Sequence, residues 1–199
     1  MRMPHLRRNV WVILGLCGAA AAWNLTAKHP DIILPTEWEA SSAAGIQAMK
    51  DGRHDDAERY FQRALEHASA FADDDPRLGT SLDNLATLRK AQRRHAEAEA
   101  LYRRALDVFE RGGPRSERPL AVVCNDLGTL RAAAGHFDEA EALFRRAIAV
   151  NERARGPDDP ELATNLRNCA AVLLAQGKLA EAAGAASRAS AIEERQSHR

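Results

Sequence analysis

Aromatic side chains make up only 5 % of this 199-residue chain, so a core must be filled mostly by aliphatic residues. Net charge is missing as well. The 28 Lys and Arg balance 28 Asp and Glu, and no basic excess calls for nucleic acid. Cysteine is scarce: Cys17, Cys124 and Cys169 have no partners at metal-ligand spacing. Glycine-rich phosphate loops and nucleophile elbows are absent from the sequence. These gaps argue against an enzyme and against a cofactor or metal. Strand-type alternation of β-branched and aromatic residues is also lacking. Ala, Leu, Arg and Glu dominate instead, and all four are strong helix formers. The chain reads as all-α.

What is present is self-similarity. "HAEAEALYRRALDV" (His95 to Val108) returns as "FDEAEALFRRAIAV" (Phe137 to Val150), with Ala98, Leu101, Tyr102 and Ala105 lying 42 residues before Ala140, Leu143, Phe144 and Ala147. The same segment occurs earlier around Ala57, 41 residues before Ala98, and later around Ala182. The preceding stretches repeat too: Leu78, Leu120 and Leu162 stand 42 apart, as do Leu85, Leu127 and Cys169. A fixed period of this length means stacked supersecondary units. Leu78, Leu82, Leu85 and Leu88 lie on one face of a helix, and Ala98, Leu101, Tyr102, Ala105 and Val108 on one face of a second. Asp51-Gly52, Gly135 and Gly177 stop the first helix of three units, because glycine accepts the left-handed conformation past a helix end. Asp75-Pro76 and Asp159-Pro160 open units, with Asp as cap and Pro in the first turn. Four hairpins are expected, over about 36–72, 76–111, 117–155 and 160–196.

On these residues the chain resembles the tetratricopeptide repeat family, in the longer form similar to kinesin light chain. The family's small–aromatic–small pattern is matched by Ala57/Phe61/Ala64, Ala98/Tyr102/Ala105 and Ala140/Phe144/Ala147, and weakens to Ala182/Ala186/Ala189. Its small first-helix position is Gly45, Ala86, Gly128 and Ala170. A HEAT-like array fits the period but does not demand these small residues. The resemblance implies a right-handed α-solenoid of about four helix-turn-helix repeats spanning 36–196. Such a hairpin cannot bury its own apolar faces, so neighbours must stack. The last helix, poor in large apolar residues, suits an end cap.

By the same resemblance, first helices line a concave groove that holds a protein or peptide segment. Candidate groove residues are Asp83, Asn84, Thr87 and Lys90 in the second unit, Asn125, Asp126 and Thr129 in the third, and Arg167 and Asn168 in the fourth. Amides both donate to and accept from a peptide backbone. The alternative for Asn84, Asp126 and Asn168 is that they only tie neighbouring helices together. A row of Arg63, Arg104, Arg146 and Arg188 on the second helices is a second possible surface, with Glu neighbours neutralising it. Glu99–Arg103 and Glu141–Arg145 are expected helix-surface pairs. His54 and His95 share one turn position and His136 is a place away, which suits exposed turn residues. Cys124 and Cys169 read as small buried hydrophobes, with a disulfide open in an oxidising compartment. Self-association through the end units is a further possibility.

The amino terminus is a separate device. Arg2, Arg7 and Arg8 precede the apolar run Val10 to Trp23. Basic then apolar marks a membrane anchor or a signal peptide. Extending the run to Ala27 gives 18 residues, and at about 1.5 Å each these just span a hydrocarbon core of roughly 30 Å. Residues 1–27 are therefore expected to be an apolar helix acting as anchor or signal, and 28–35 a linker. The alternatives are a single-pass bacterial inner-membrane protein with periplasmic repeats, or a secreted periplasmic protein cleaved near Ala22. Leu16 before Cys17 speaks against a lipoprotein signal. The weight of Ala and Arg suggests a GC-rich bacterial source.

Overall fold

A computed structural model describes residues 36–197. Eight α-helices follow one another, and no strand occurs among the described residues. They are α1 (Glu37–Lys50), α2 (His54–Ala68), α3 (Pro76–Ala91), α4 (His95–Arg111), α5 (Glu117–Ala133), α6 (Phe137–Arg155), α7 (Pro160–Ala175) and α8 (Leu179–Ser197), with a short 3-10 turn at Gly113–Ser116. Consecutive helices pair into antiparallel hairpins, and each hairpin stacks on the next. The expected amino-terminal apolar helix and its linker lie outside the described residues. None of the described helices is long and apolar enough to cross a membrane.

Local chemistry explains where helices start. The Thr36 hydroxyl accepts from Glu39 N at 3.2 Å, while Thr36 N donates to the Glu39 carboxylate at 2.7 Å, a reciprocal cap on α1. Asp75 and Asp159 accept from the backbone two residues on, each at 2.9 Å, ahead of Pro76 and Pro160.

The turn inside each hairpin needs one residue in the left-handed region. Gly52, Gly135 and Gly177 occupy it with φ of 72°, 80° and 78°. The second unit puts Arg93 there, with φ 61°. A Cβ in that conformation costs about 1–2 kcal/mol, part of which glycine gives back as unfolded-chain entropy. Arg93→Gly should therefore stabilise the protein by about 1 kcal/mol and raise the melting temperature by roughly 2–4 °C. An unchanged or lower melt would show that the Arg93 side chain offsets its own backbone strain.

The aromatic rings of the second helices fill the spaces left by small residues opposite. Phe61, Tyr102 and Phe144 are all buried. A Cβ on Gly45 would lie 2.4 Å from the Phe61 ring, so the ring occupies the volume an alanine would need. Tyr102 belongs to a central cluster with Leu82, Leu106, Phe109, Val123 and Leu127, which joins the second and third units. Further clusters join the first unit to the second through Phe61 and Leu88, and the third to the fourth through Phe144 and Val172. In α8 only Ala182, Ala189 and Ile192 are buried, and Ala186 stands exposed where the other units carry a ring. The end is not uniformly polar, however: Leu174 and Leu179, flanking the α7–α8 turn, are 56 % and 66 % exposed. Cys124 and Cys169 are both free and buried.

Ion pairs run from unit to unit. Arg89 meets Glu58 at 2.7 Å, Arg131 meets Glu99 at 3.1 Å and Arg146 meets Glu110 at 2.6 Å. The exposed Arg146–Glu110 pair contributes about 0–1 kcal/mol, whereas Arg89 and Arg131 are largely buried, so losing either acid would leave a poorly solvated charge uncompensated.

Candidate functional site

First helices of successive units touch one another, α1 with α3, α3 with α5 and α5 with α7, while second helices make no comparable contacts. The stack therefore curves toward the first helices, and their solvent-facing residues form its inner surface. The candidate residues fall into lines along that surface. Asp83, Asn125 and Arg167 stand 42 apart in one line, and Asn84, Asp126 and Asn168 in the next. The 41-residue offset of the first unit places Ser42 and Ala43 at the heads of these two lines.

The same positions have different partners at each junction. Between the third and fourth units, Asn168 Nδ2 donates to Asn125 Oδ1 at 2.8 Å. Thr129 Oγ1 donates back to Asn125 O at 2.9 Å, within its own helix. Arg167 pairs with Glu193 on α8. Between the second and third units, Lys90 Nζ donates to Asp126 Oδ1 at 2.6 Å. Thr87 Oγ1 lies 3.2 Å from the Tyr102 hydroxyl, and Lys90 Nζ is 5.7 Å from the centre of that ring. Asp126 and Asn168 thus tie neighbouring first helices together, and so does Asn125.

Unit two is different. Asp83 Oδ1, Asn84 Nδ2 and, one unit earlier, Ser42 Oγ are buried with no hydrogen-bond partner among the described residues. Burial, reinforced by repulsion from Asp126 and only partly offset by Lys90, pushes the Asp83 carboxyl up to about 7. Burial and the Asp126 charge likewise raise the Tyr102 phenol to about 12. Burial works to lower the Lys90 ammonium, but the hydrogen bond to Asp126, the Asp126 charge and the Tyr102 phenol together outweigh it and hold the ammonium above its ordinary value.

Apolar residues also reach this surface, which the polar reading of the sequence passed over. Ile46 is 42 % exposed and Val122 37 %. Ile46 stands in the line of Thr87 and Thr129, and that register is the signal that would have found it. The inner surface is thus a mixed one, polar along two lines and apolar at separated points. Among the described residues no three His, Cys, Asp or Glu side chains converge as a metal site.

The arginine row on the second helices is partly consumed. Arg146 is bound to Glu110 at 2.6 Å, and Arg188 is bound to Glu152. Arg63 and Arg104 have no ion pair among the described residues, and the counterpart of Glu110 that would pair with Arg104 is Ser69. Glu99–Arg103 and Glu141–Arg145 form as i,i+4 pairs at 2.7 and 2.8 Å.

A family model described as tetratricopeptide repeat matches residues 39–111 and 120–195. Solved structures show the same architecture. BtubC (BKLC) from P. vanneervenii is 24 % identical with a TM-score of 0.71, over 90 % of this chain and 75 % of that one. A protein described as a Podosopora anserina kinesin light chain with nearly identical TPR-like repeats is 16 % identical with a TM-score of 0.63, over 89 % of this chain and 84 % of that one. Aspartyl phosphate phosphatase F from Bacillus subtilis is 17 % identical with a TM-score of 0.71, over 82 % of this chain and 43 % of that one. At these identities the likeness is one of fold. A search of curated proteins finds no match.

Proposed function

The chain belongs to the tetratricopeptide repeat family, whose solenoids are typically non-enzymatic scaffolds for protein–protein interaction, and on that premise we propose that it holds an extended protein segment along its inner surface. The observation that carries this reading is the unfinished polarity of the second unit. Asp83 Oδ1 and Asn84 Nδ2 are unpartnered on the face where Ile46 and Val122 are exposed. Both atoms lie beneath the surface, so a backbone N–H or C=O meets them where a side-chain shift opens the second unit, and the two apolar side chains are separate seats, two units apart, for that segment. Asn125, Arg167 and Asn168 contribute more weakly, since a ligand must compete with the bonds they already make. Each hydrogen bond adds about 0.5–1.5 kcal/mol, so affinity is built from several modest contacts.

We propose as well that the basic and apolar residues before Trp23 tether the repeats to a bacterial inner membrane, on its outer side. The support is the order of Arg2, Arg7 and Arg8 before an apolar run.

Pull-down from detergent-solubilised membranes, read by mass spectrometry, tests both. Absence of the chain from the membrane fraction would remove the tether. Once a partner segment is in hand, Ile46→Ser, Asn84→Ala and Val122→Ser combined should weaken binding by about tenfold or more, with the helical melt nearly unchanged. Arg63→Ala with Arg104→Ala is the matched control and should leave affinity within about twofold. Equal affinity in the triple variant, or loss in the control, would move the site to the second helices.

A further inference from the structure

The joint between the second and third units carries two acids where the next joint carries two amides. Asp83 is the counterpart of Asn125, and Asp126 the counterpart of Asn168, each 42 residues earlier. At the later joint the amides satisfy one another at 2.8 Å. At the earlier one the two carboxylates cannot, because an ionised carboxylate only accepts. The nearest cation, Lys90, is bound to Asp126 at 2.6 Å, and Asp83 Oδ1 remains buried without a partner.

We propose that this joint is operated by a proton: with Asp83 protonated its hydroxyl donates to Asp126 and closes the joint as the amide pair closes the next one, and with Asp83 ionised the two carboxylates repel and the joint loosens. The proton comes from and returns to solvent, and packing does not call for acids here, since amides fill the same two positions one unit on. The surroundings of Asp83 are few. α5 presents Asp126, α4 presents Tyr102, which stays a neutral phenol throughout the accessible range, and α3 itself supplies Lys90. From α1 the counterpart position brings only the uncharged Ser42. The joint lies at the middle of the inner surface, so its state sets the spacing of the lines of residues on either side. The inference concerns the fold alone and does not depend on the partner proposed above.

The direction of the pH dependence follows. A carboxyl that binds its proton more tightly when folded gives its full stabilisation below the unfolded value of about 3.9. That contribution falls as pH rises, and is gone once the pH passes the folded value of about 7. Carboxylates held low by ion pairs, Glu58 by Arg89 and Asp75 by Arg77 for example, act in the opposite sense and at lower pH.

The experiment uses the full-length protein in mild detergent. The carboxyl carbon resonance of Asp83 should titrate with a midpoint near 7, and Asp126→Asn, which removes the repulsion, should lower that midpoint by a unit or more. Between pH 5.5 and 8.5 the melting temperature of the natural protein should fall by roughly 5 °C or more relative to Asp83→Asn. Backbone amides of α3 and α5 should exchange faster at the higher pH, after correction for intrinsic rates, in the natural protein only. A midpoint below 5, a midpoint unmoved by Asp126→Asn, or parallel melting profiles for the natural protein and Asp83→Asn would each overturn the proposal.

Discussion

Leu127→Asp should unfold the third hairpin and leave its neighbours half covered. Leu127 is buried in the cluster that joins the second and third units, among Tyr102, Cys124 and Leu130. An aspartate there is either ionised without a partner or protonated at neutral pH, and both cost several kcal/mol on top of the lost apolar contacts. Solenoid units are stable through nearest-neighbour interfaces. The damage should therefore show as a broadened or two-step melt by circular dichroism, with a loss of roughly 4 kcal/mol or more. A single melt at the natural temperature would mean that the α5 face can turn Leu127 to solvent.

Tyr102→Ala is the other large change. The ring is fully buried between α3 and α5, and the cavity left by removing it should cost about 3–5 kcal/mol. Tyr102→Phe separates ring from hydroxyl. It loses the 3.2 Å contact with Thr87 and the phenol's support of Lys90, about 1 kcal/mol. Chemical denaturation of both variants checks this: similar losses would assign the stability to the polar network rather than to the ring. The contrast is useful because the equivalent residues, Phe61 and Phe144, have no hydroxyl and are buried as well.

Much of the fold is legible in the sequence because the packing problem recurs. A small residue opposite a ring, a glycine after a helix and Asp-Pro before one each have a local physical cause, and each appears at nearly the same interval. Where a cause has an exception, the sequence still shows its position but not its outcome. The break "RRH" lacks the glycine of the other turns, yet Arg93 adopts their backbone conformation because stacking demands it. The pairing of Gly79 with Phe109, where a Cβ would approach to 2.4 Å, is not legible in the sequence because it occurs once. In the next unit the positions become Ala121 and the buried Asn151, so no period announces them.

The inner surface was less legible than the core. Register identified which polar residues face inward, but a residue's partner depends on three side chains at once. Asn125 and Asp83 hold the same place, yet one is satisfied and the other is not, because Asn168 can donate and Asp126 cannot. The amino-terminal expectations rest on residue order alone.

The spacing of two ion pairs has a consequence for the length of the protein. Arg146 meets Glu110 and Arg188 meets Glu152, in both cases a basic residue 36 positions after its acid. An in-frame duplication of the 42-residue stretch from Glu117 to Asp158 would set a second copy of Arg146 against the original Glu152, and the copied Glu152 against Arg188. The seam with the fourth unit would reproduce contacts that already exist, and the seam between the copies would keep this ion pair while setting Asn125 against a copied Asp126 in place of Asn168. Gene duplication could therefore lengthen this chain by a whole unit at the cost of one new junction, and a designer could do the same in one step.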